Sequence, residues 1–310
     1  MQRPAPDDYS REPEKSASPP RSQRPKAYDG PMPARSAPLS LLLSSHPGPS
    51  LVVTVVATGL GLALGYPPGR LALLALAVLL GQLSIGWSND WMDAAREREV
   101  ARRDKPAARG DIPIPVVRTA AFAALALALA TTALLGPGAL LVHTIAIAGG
   151  WSYNAGLKRS AISFLPFAVS FGLLPAIAAL GRAAPVWPAS WVIAAGALLG
   201  VAAHLTNVLP DLADDARTGI RGFAHRIGPL VSGVIAFVCL IAATALIALG
   251  PGLPVPPLLI AGLALGLAAA VAGIVLLLRR SPTRLLMQLI MTCAVVDAGM
   301  LVLAGQSVVA

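Results

Sequence analysis

Charge is scarce in this 310-residue chain. Only 13% of its residues are Asp, Glu, Lys or Arg, about half the share usual in a soluble domain. Carboxylates are scarcer still beyond the first 36 residues. Ten remain; nine lie between positions 90 and 111 or between 211 and 215, and the tenth is Asp297. The two cysteines, Cys239 and Cys293, sit inside apolar runs without a metal-ligand spacing. That excludes a disulfide framework and leaves them as small apolar fillers. The start of the chain lacks an apolar core segment, so no secretory signal peptide is expected.

What is abundant is apolar sequence, at 55% of the chain. It falls into nine segments, approximately 48–66, 69–89, 113–135, 138–157, 162–181, 187–208, 227–249, 254–278 and 284–307. Each is close to the length needed to cross a bilayer as a helix. Turn residues separate them at Tyr66-Pro67-Pro68-Gly69, Gly136-Pro137-Gly138, Arg182-Ala183-Ala184-Pro185 and Gly250-Pro251-Gly252. The expected fold is all-α: a polytopic membrane protein of nine transmembrane helices. Residues 1–36, rich in Pro, Ser and mixed charge, form an expected disordered tail. Residues 37–310 form the membrane domain.

The formal charge of +9 does not indicate nucleic acid. With the first span entering from inside, fifteen Lys and Arg fall in inner loops, and only Arg70 and Arg182 fall outside. This is the bias that orients membrane helices. It places the tail and both acidic clusters in the cytoplasm and the C-terminus outside, in an expected bacterial plasma membrane.

The acidic clusters read Asn89-Asp90-Trp91-Met92-Asp93-Ala94-Ala95-Arg96-Glu97 and Asn207-Val208-Leu209-Pro210-Asp211-Leu212-Ala213-Asp214-Asp215. On a helix, Asp90, Asp93 and Glu97 share one face, as do Asn207, Asp211 and Asp215, while Asp214 points away. Pro210 is expected to loosen the second helix end. Carboxylates at the end of a membrane helix are costly unless they hold a cation. Oxygen ligands in this number suit magnesium, which takes one or two protein carboxylates and fills its shell with phosphate oxygens. Arg102, Arg103, Lys105 and Arg109 follow the first cluster, and Lys158 and Arg159 lie in another inner loop. These cations suit a departing diphosphate. His143 and His204 read as satisfied interior histidines, with facing the pocket as the alternative for His204, one turn before Asn207. His46 reads as a helix cap. Asp297 reads equally as a functional intramembrane acid or as a helix–helix hydrogen-bond partner.

The stretch NDWMDAARE, followed by RRDKPAARGDIP, resembles the first aspartate-rich motif of the UbiA superfamily of intramembrane prenyltransferases. NVLPDLADDARTGIRGFAHRIG resembles the second motif, with a helix start at Ile227-Gly228, and YNAGLKR resembles the loop between them. Glu97 stands where the first motif ends in Asp, Asn207 opens the second, and Gly222 stands where some relatives have Thr. The resemblance spans about residues 40–310.

It implies a UbiA-type bundle with a cytoplasmic cap built from loops 90–112 and 207–226. It also implies an Mg²⁺-dependent enzyme that moves a polyprenyl group from a polyprenyl diphosphate to an electron-rich, typically aromatic acceptor, as in quinone biosynthesis. Its metal ligands would be Asp90, Asp93, Glu97, Asp211 and Asp215. The diphosphate would meet Asn89, Arg102, Lys105, Tyr153, Lys158 and Asn207. Catalysis would rest on Asp90, Asp93, Asp211, Asp215 and Lys158. The expected partners are therefore the diphosphate donor, a small nucleophilic acceptor and the lipid bilayer. A polytopic transporter with an acidic cation site is the alternative.

Overall fold

A computed structural model describes residues 36–99, 105–279 and 284–309. The tail and Arg102 therefore lie outside the described residues. Among the described residues the architecture is helical, with one isolated bridge between Pro188 and Val309. A short α1 (Ala37–Leu43) precedes α2 (Pro47–Ala63), and the two meet at 61°. Then come α3 (Pro68–Glu99), the four-residue α4 (Pro106–Arg109), α5 (Ile114–Ala133), α6 (Pro137–Ala155), α7 (Leu165–Leu180) and α8 (Ser190–Val208). The six-residue α9 (Leu212–Arg217), α10 (Phe223–Leu249), α11 (Pro257–Arg279) and α12 (Arg284–Leu303) complete the series.

The helices stop where Gly and Pro said they would. α3 begins at Pro68 and α6 at Pro137, at first-turn positions where a missing N–H costs nothing. A helix overlaps each of the nine expected apolar segments. By length and hydropathy five of them are able to span a bilayer, or six if the bent α1–α2 pair counts as one. Two boundaries differ from expectation. α3 does not stop at residue 89 but runs on for ten residues through the whole first motif. α10 begins at Phe223 and breaks at Gly228, whose φ of 80° leaves the helical region, before resuming over Pro229.

Each of the longer helices packs on the next in sequence, and α12 returns to α2, so the bundle closes on itself. Small residues let the backbones approach, as is usual where lipid supplies no hydrophobic drive between helices. Ala57, Ala77, Ala121, Ala139, Ala195, Ala236 and Ala243 are among the fully buried positions. Large side chains such as Leu51, Val55, Phe122, Leu127, Leu141, Val238 and Leu265 face outward instead. Buried hydroxyls are answered locally: Thr132, Thr206 and Thr244 each donate to the carbonyl four residues back. Cys239 and Cys293 are free and buried, as expected of fillers.

Asp297 is wholly buried, with its Oδ1 2.6 Å from Thr244 Oγ1 of α10. It ties α12 to α10. His143 is buried with its Nδ1 2.7 Å from Thr132 Oγ1, as an interior histidine should be.

Arg70, one of the two cations expected outside, has a structural role. Its Nη2 donates to Leu135 O at 2.8 Å and to Gly181 O at 2.6 Å, satisfying carbonyls just past the ends of α5 and α7. Tyr66 donates beside it to Ala178 O at 2.5 Å. The C-terminal residues join this same end of the bundle, where Gln306 donates to Ala63 O and Val308 O accepts from Ala189 N.

Candidate active site

The opposite end of the bundle holds a cavity of about 310 Å³. Asn89, Asp93, Arg96 and Glu97 line it from α3, with Lys105 at the start of α4. Tyr153 comes from α6 and Lys158 from the 3₁₀ turn Leu157–Arg159. Asn207, Asp211 and Asp215 close the other side. The two motifs, separated by more than a hundred residues, face one space.

The first motif stays helical because α3 continues through it, which brings Asn89, Asp93, Arg96 and Glu97 to the cavity from one helix. The second does not form one helix face. Pro210 interrupts the ladder: α8 ends at Val208, a 3₁₀ turn covers Leu209–Asp211, and α9 starts afresh at Leu212. Asn207, Asp211 and Asp215 still reach the cavity, but from three separate segments. Asp214 pairs with Arg217 and does not line it.

Asp90 departs from expectation. It has no solvent-accessible surface and does not line the cavity. Its Oδ1 lies 2.7 Å from Lys105 Nζ and 3.1 Å from His46 Nε2, and these two nitrogens are 2.8 Å apart. His46 is therefore more than a cap. It occupies the N-cap position of α2 in a left-handed conformation, φ 54°, and caps nothing with its side chain. Two contacts hold it there. Trp87 Nε1 donates to Leu41 O at 2.8 Å, and Gly86 presses on the Ser45 backbone so closely that a Cβ would collide with it.

Lys158 is buried and ion-paired with Asp93. Burial pushes the Lys158 pKa below that of an ordinary lysine, and Asp93 opposes the shift by favouring the charged form. Burial likewise raises Asp215 above the usual carboxylate range against the pull of Arg96. Gly222 explains its own departure from Thr. A Cβ there would strike the carbonyl of Lys158 and approach Ser163 Oγ to 2.8 Å. This close approach seats the α9–α10 loop against Lys158.

The structure adds Arg96, Asn154 and His225, which the sequence does not single out as site residues, and bears on His204. In the sequence Arg96 reads only as an orienting charge. Its guanidinium lies 3.2 Å from Asp93 Oδ2 and 2.9 Å from Asp215 Oδ1, and it donates to Thr218 Oγ1 at 3.2 Å. Asn154 accepts from Asn89, 3.2 Å away, and donates to Ser88 Oγ and Ile85 O. Asn89 also donates to Asp93 Oδ2 at 3.1 Å. Its amide thus orients a motif carboxylate. His204 lines the cavity with its Nε2 3.2 Å from Ser163 Oγ, and its buried Nδ1 has no protein partner. It is therefore only half satisfied. His225 lines the cavity with both ring nitrogens unpartnered.

The donor chemistry fits a hard divalent cation. The candidate ligands are all carboxylates, and two buried oxygens among them, Asp90 Oδ2 and Glu97 Oε2, have no hydrogen-bond partner. Buried carboxylate oxygens normally find a donor or a cation. No three acids or imidazoles among the described residues form a ready-made cage. Lys105, Lys158 and Arg96 supply the positive charge instead.

The fold is shared with solved proteins. It is similar to a UbiA homolog from Archaeoglobus fulgidus solved with GPP and Mg²⁺, with a TM-score of 0.67 and 16% identity, covering 86% of this chain and 99% of that one. It is similar to a digeranylgeranylglyceryl phosphate synthase, with a TM-score of 0.66 and 15% identity over 86% and 96% of the two chains. It is also similar to the apo form of a UbiA homolog from Aeropyrum pernix K1, with a TM-score of 0.66 and 16% identity over 87% and 98%. Among curated proteins none matches. The pattern of the UbiA prenyltransferase family matches residues 50–293. The chain belongs to the UbiA prenyltransferase family.

Proposed function

We propose that this chain transfers a polyprenyl group from a polyprenyl diphosphate to an electron-rich, aromatic acceptor, with Mg²⁺ and with release of pyrophosphate. The observation that carries this reading is the single cavity shared by Asp93, Glu97, Asp211 and Asp215 and by Lys105, Lys158 and Arg96. Carboxylates alone would suit a cation, and cations alone an anion. Both together suit a diphosphate accompanied by a metal. The Archaeoglobus relatives bound to GPP or DMAPP with Mg²⁺, or to Cd²⁺, support the same pairing.

Asp93, Glu97, Asp211 and Asp215 would hold the ion, with Asp90 behind them. A bound Mg²⁺ supplies Lewis-acid neutralisation of the diphosphate oxygens. Lys158 and Lys105 donate to those oxygens as the prenyl C1–O bond breaks and the electron pair leaves with pyrophosphate. Asn89 and Asn154 fix the angle of Asp93. Tyr153, edge-on to Phe167 and His204, walls the apolar side. The acceptor ring then bonds to C1 and loses a proton. The loops over the cavity exclude the water that would otherwise capture the cation.

The same reading takes all nine apolar helices as spans, with the cavity and its loops as a cytoplasmic cap and the C-terminus outside. Fifteen inner cations against two outer ones support it, as does the packing of residues 305–309 at the end away from the acids. The gathering of the acids at one end also speaks against transport, which places its ion site near the midplane.

The test uses membranes containing the full chain, radiolabelled geranyl diphosphate and a panel of hydroxylated benzoates and naphthoates. Prenylated product and pyrophosphate should appear with Mg²⁺, disappear with chelator, and fall to background in Asp211→Ala. Ion flux into proteoliposomes without pyrophosphate release would instead establish the transporter.

A further inference from the structure

Two carboxylates from different motifs repel one another across the cavity unless something positive stands between them. Here that charge is a side chain. Arg96 reaches Asp93, three residues back on its own helix, and Asp215 on α9, and it touches Thr218 Oγ1 at the end of α9. Its side chain is 18% exposed, and its buried Nε donates to nothing. The contact is thus made with the two Nη groups alone, and the fork of the guanidinium is incompletely used. Both carboxylates it bridges are among those that would hold the ion. A guanidinium and a dication on the same pair of oxygens repel, so one must yield to the other.

We propose that Arg96 is a tethered stand-in for the divalent ion. It clasps the two motifs together while the site is free of metal. It is displaced from Asp93 and Asp215 when the ion arrives, and its guanidinium then turns to the donor's diphosphate, for which its planar fork is well shaped. The inference rests on the proposed function for the identity of the two ligands. It adds that metal and donor are coupled through one side chain. Arg96 raises the threshold for metal alone and rewards metal that arrives with a diphosphate. Its position one residue before Glu97 lets a rotation of its long side chain serve both states without moving α3.

The sign of one measurement separates this role from a structural one. Mn²⁺ binding to the purified full chain, followed by electron paramagnetic resonance without donor, is compared between wild type and Arg96→Gln. Removing the competitor should tighten Mn²⁺ binding by roughly tenfold. The same variant should show a raised KM for geranyl diphosphate. Arg96→Lys, which keeps the charge, should retain the wild-type affinity for Mn²⁺. A side chain that merely holds the fold would give unchanged or weaker Mn²⁺ binding in Arg96→Gln, and that result overturns the proposal. Where Arg96→Gln fails to fold by circular dichroism, Thr218→Val decides. It frees the guanidinium from one anchor and leaves both carboxylates in place, so it must tighten Mn²⁺ binding, and an unchanged affinity counts against the proposal. Absence of Mn²⁺ binding in the wild type and in Arg96→Gln alike, with and without geranyl diphosphate, would sink the proposed function itself, an outcome distinct from any difference between variants.

Discussion

Lys105 Nζ lies 2.7 Å from Oδ1 of Asp90, a carboxylate with no exposure to solvent. Together with the 3.7 Å approach of the same ammonium to Glu97 Oε1, this contact joins the start of α4 to the first motif on α3. A buried carboxylate stripped of its cation is strongly destabilising, whereas removing both partners is far less so. Lys105→Met is therefore expected to lower stability by about 1–3 kcal/mol, with His46 softening the loss. The double variant Lys105→Met/Asp90→Asn should regain much of the lost melting temperature in detergent and none of the prenyl transfer. Equal melting of single and double variants would show that the pair is not coupled.

Lys158 offers a prediction on rate. It is buried and paired with Asp93, and in the proposed function it meets the leaving diphosphate. Loss of one such preorganised donor costs about a hundredfold or more in kcat. Lys158→Met should show that loss in single-turnover transfer from geranyl diphosphate, while Arg159→Met, whose site lies one residue beyond, should not.

Acid should release the metal. Burial holds the Asp215 carboxyl above the usual carboxylate range. Its protonated, neutral form is therefore favoured at pH values where an ordinary aspartate is still ionised, and only the ionised form ligates. Divalent-ion affinity should fall as pH is lowered, beginning above the ordinary aspartate pKa of about 3.9. Asp215→Asn should bind Mn²⁺ more weakly and with a flatter pH dependence. Parallel pH profiles for wild type and variant would count against this assignment.

Arg70 should matter to stability and not to chemistry. It satisfies carbonyls after α5 and α7 at the end of the bundle remote from the cavity. In Arg70→Leu those carbonyls lose their donor, at a cost of about 1–3 kcal/mol. The melting temperature should drop while KM for the donor stays at the wild-type value in the folded fraction. A raised KM would mean that the two ends communicate.

Much of this fold was readable because lipid imposes strict rules. Long apolar runs must be helices, and Pro67-Pro68, Gly136-Pro137 and Gly250-Pro251 marked the breaks without help from tertiary structure. The motif acids were readable because an ionised group is so costly in such surroundings. Other features depended on distance in space. His46 meets Asp90 across 44 residues, and Arg96 meets Asp215 across 119. Neither pairing leaves a trace in local periodicity. The one available hint for Arg96 was its place inside the acidic motif, three residues after Asp93. Asp90 showed the opposite failure. Its spacing promised a cavity-facing ligand, but the α1–α2 elbow, pinned by Trp87 and Gly86, covers it.

The 32 residues of α3 extend about 48 Å, against a hydrocarbon layer of about 30 Å. In the orientation proposed above, the surplus turns would carry Asp90, Asp93, Arg96 and Glu97 into the boundary where headgroups meet water. A detergent-like molecule, greasy at one end and doubly ionised at the other, partitions to that same boundary unaided. On the proposed function, one overlong rod would set the working depth of the chemistry to match where the donor already floats, and shortening α3 by whole turns would drag that chemistry into oil.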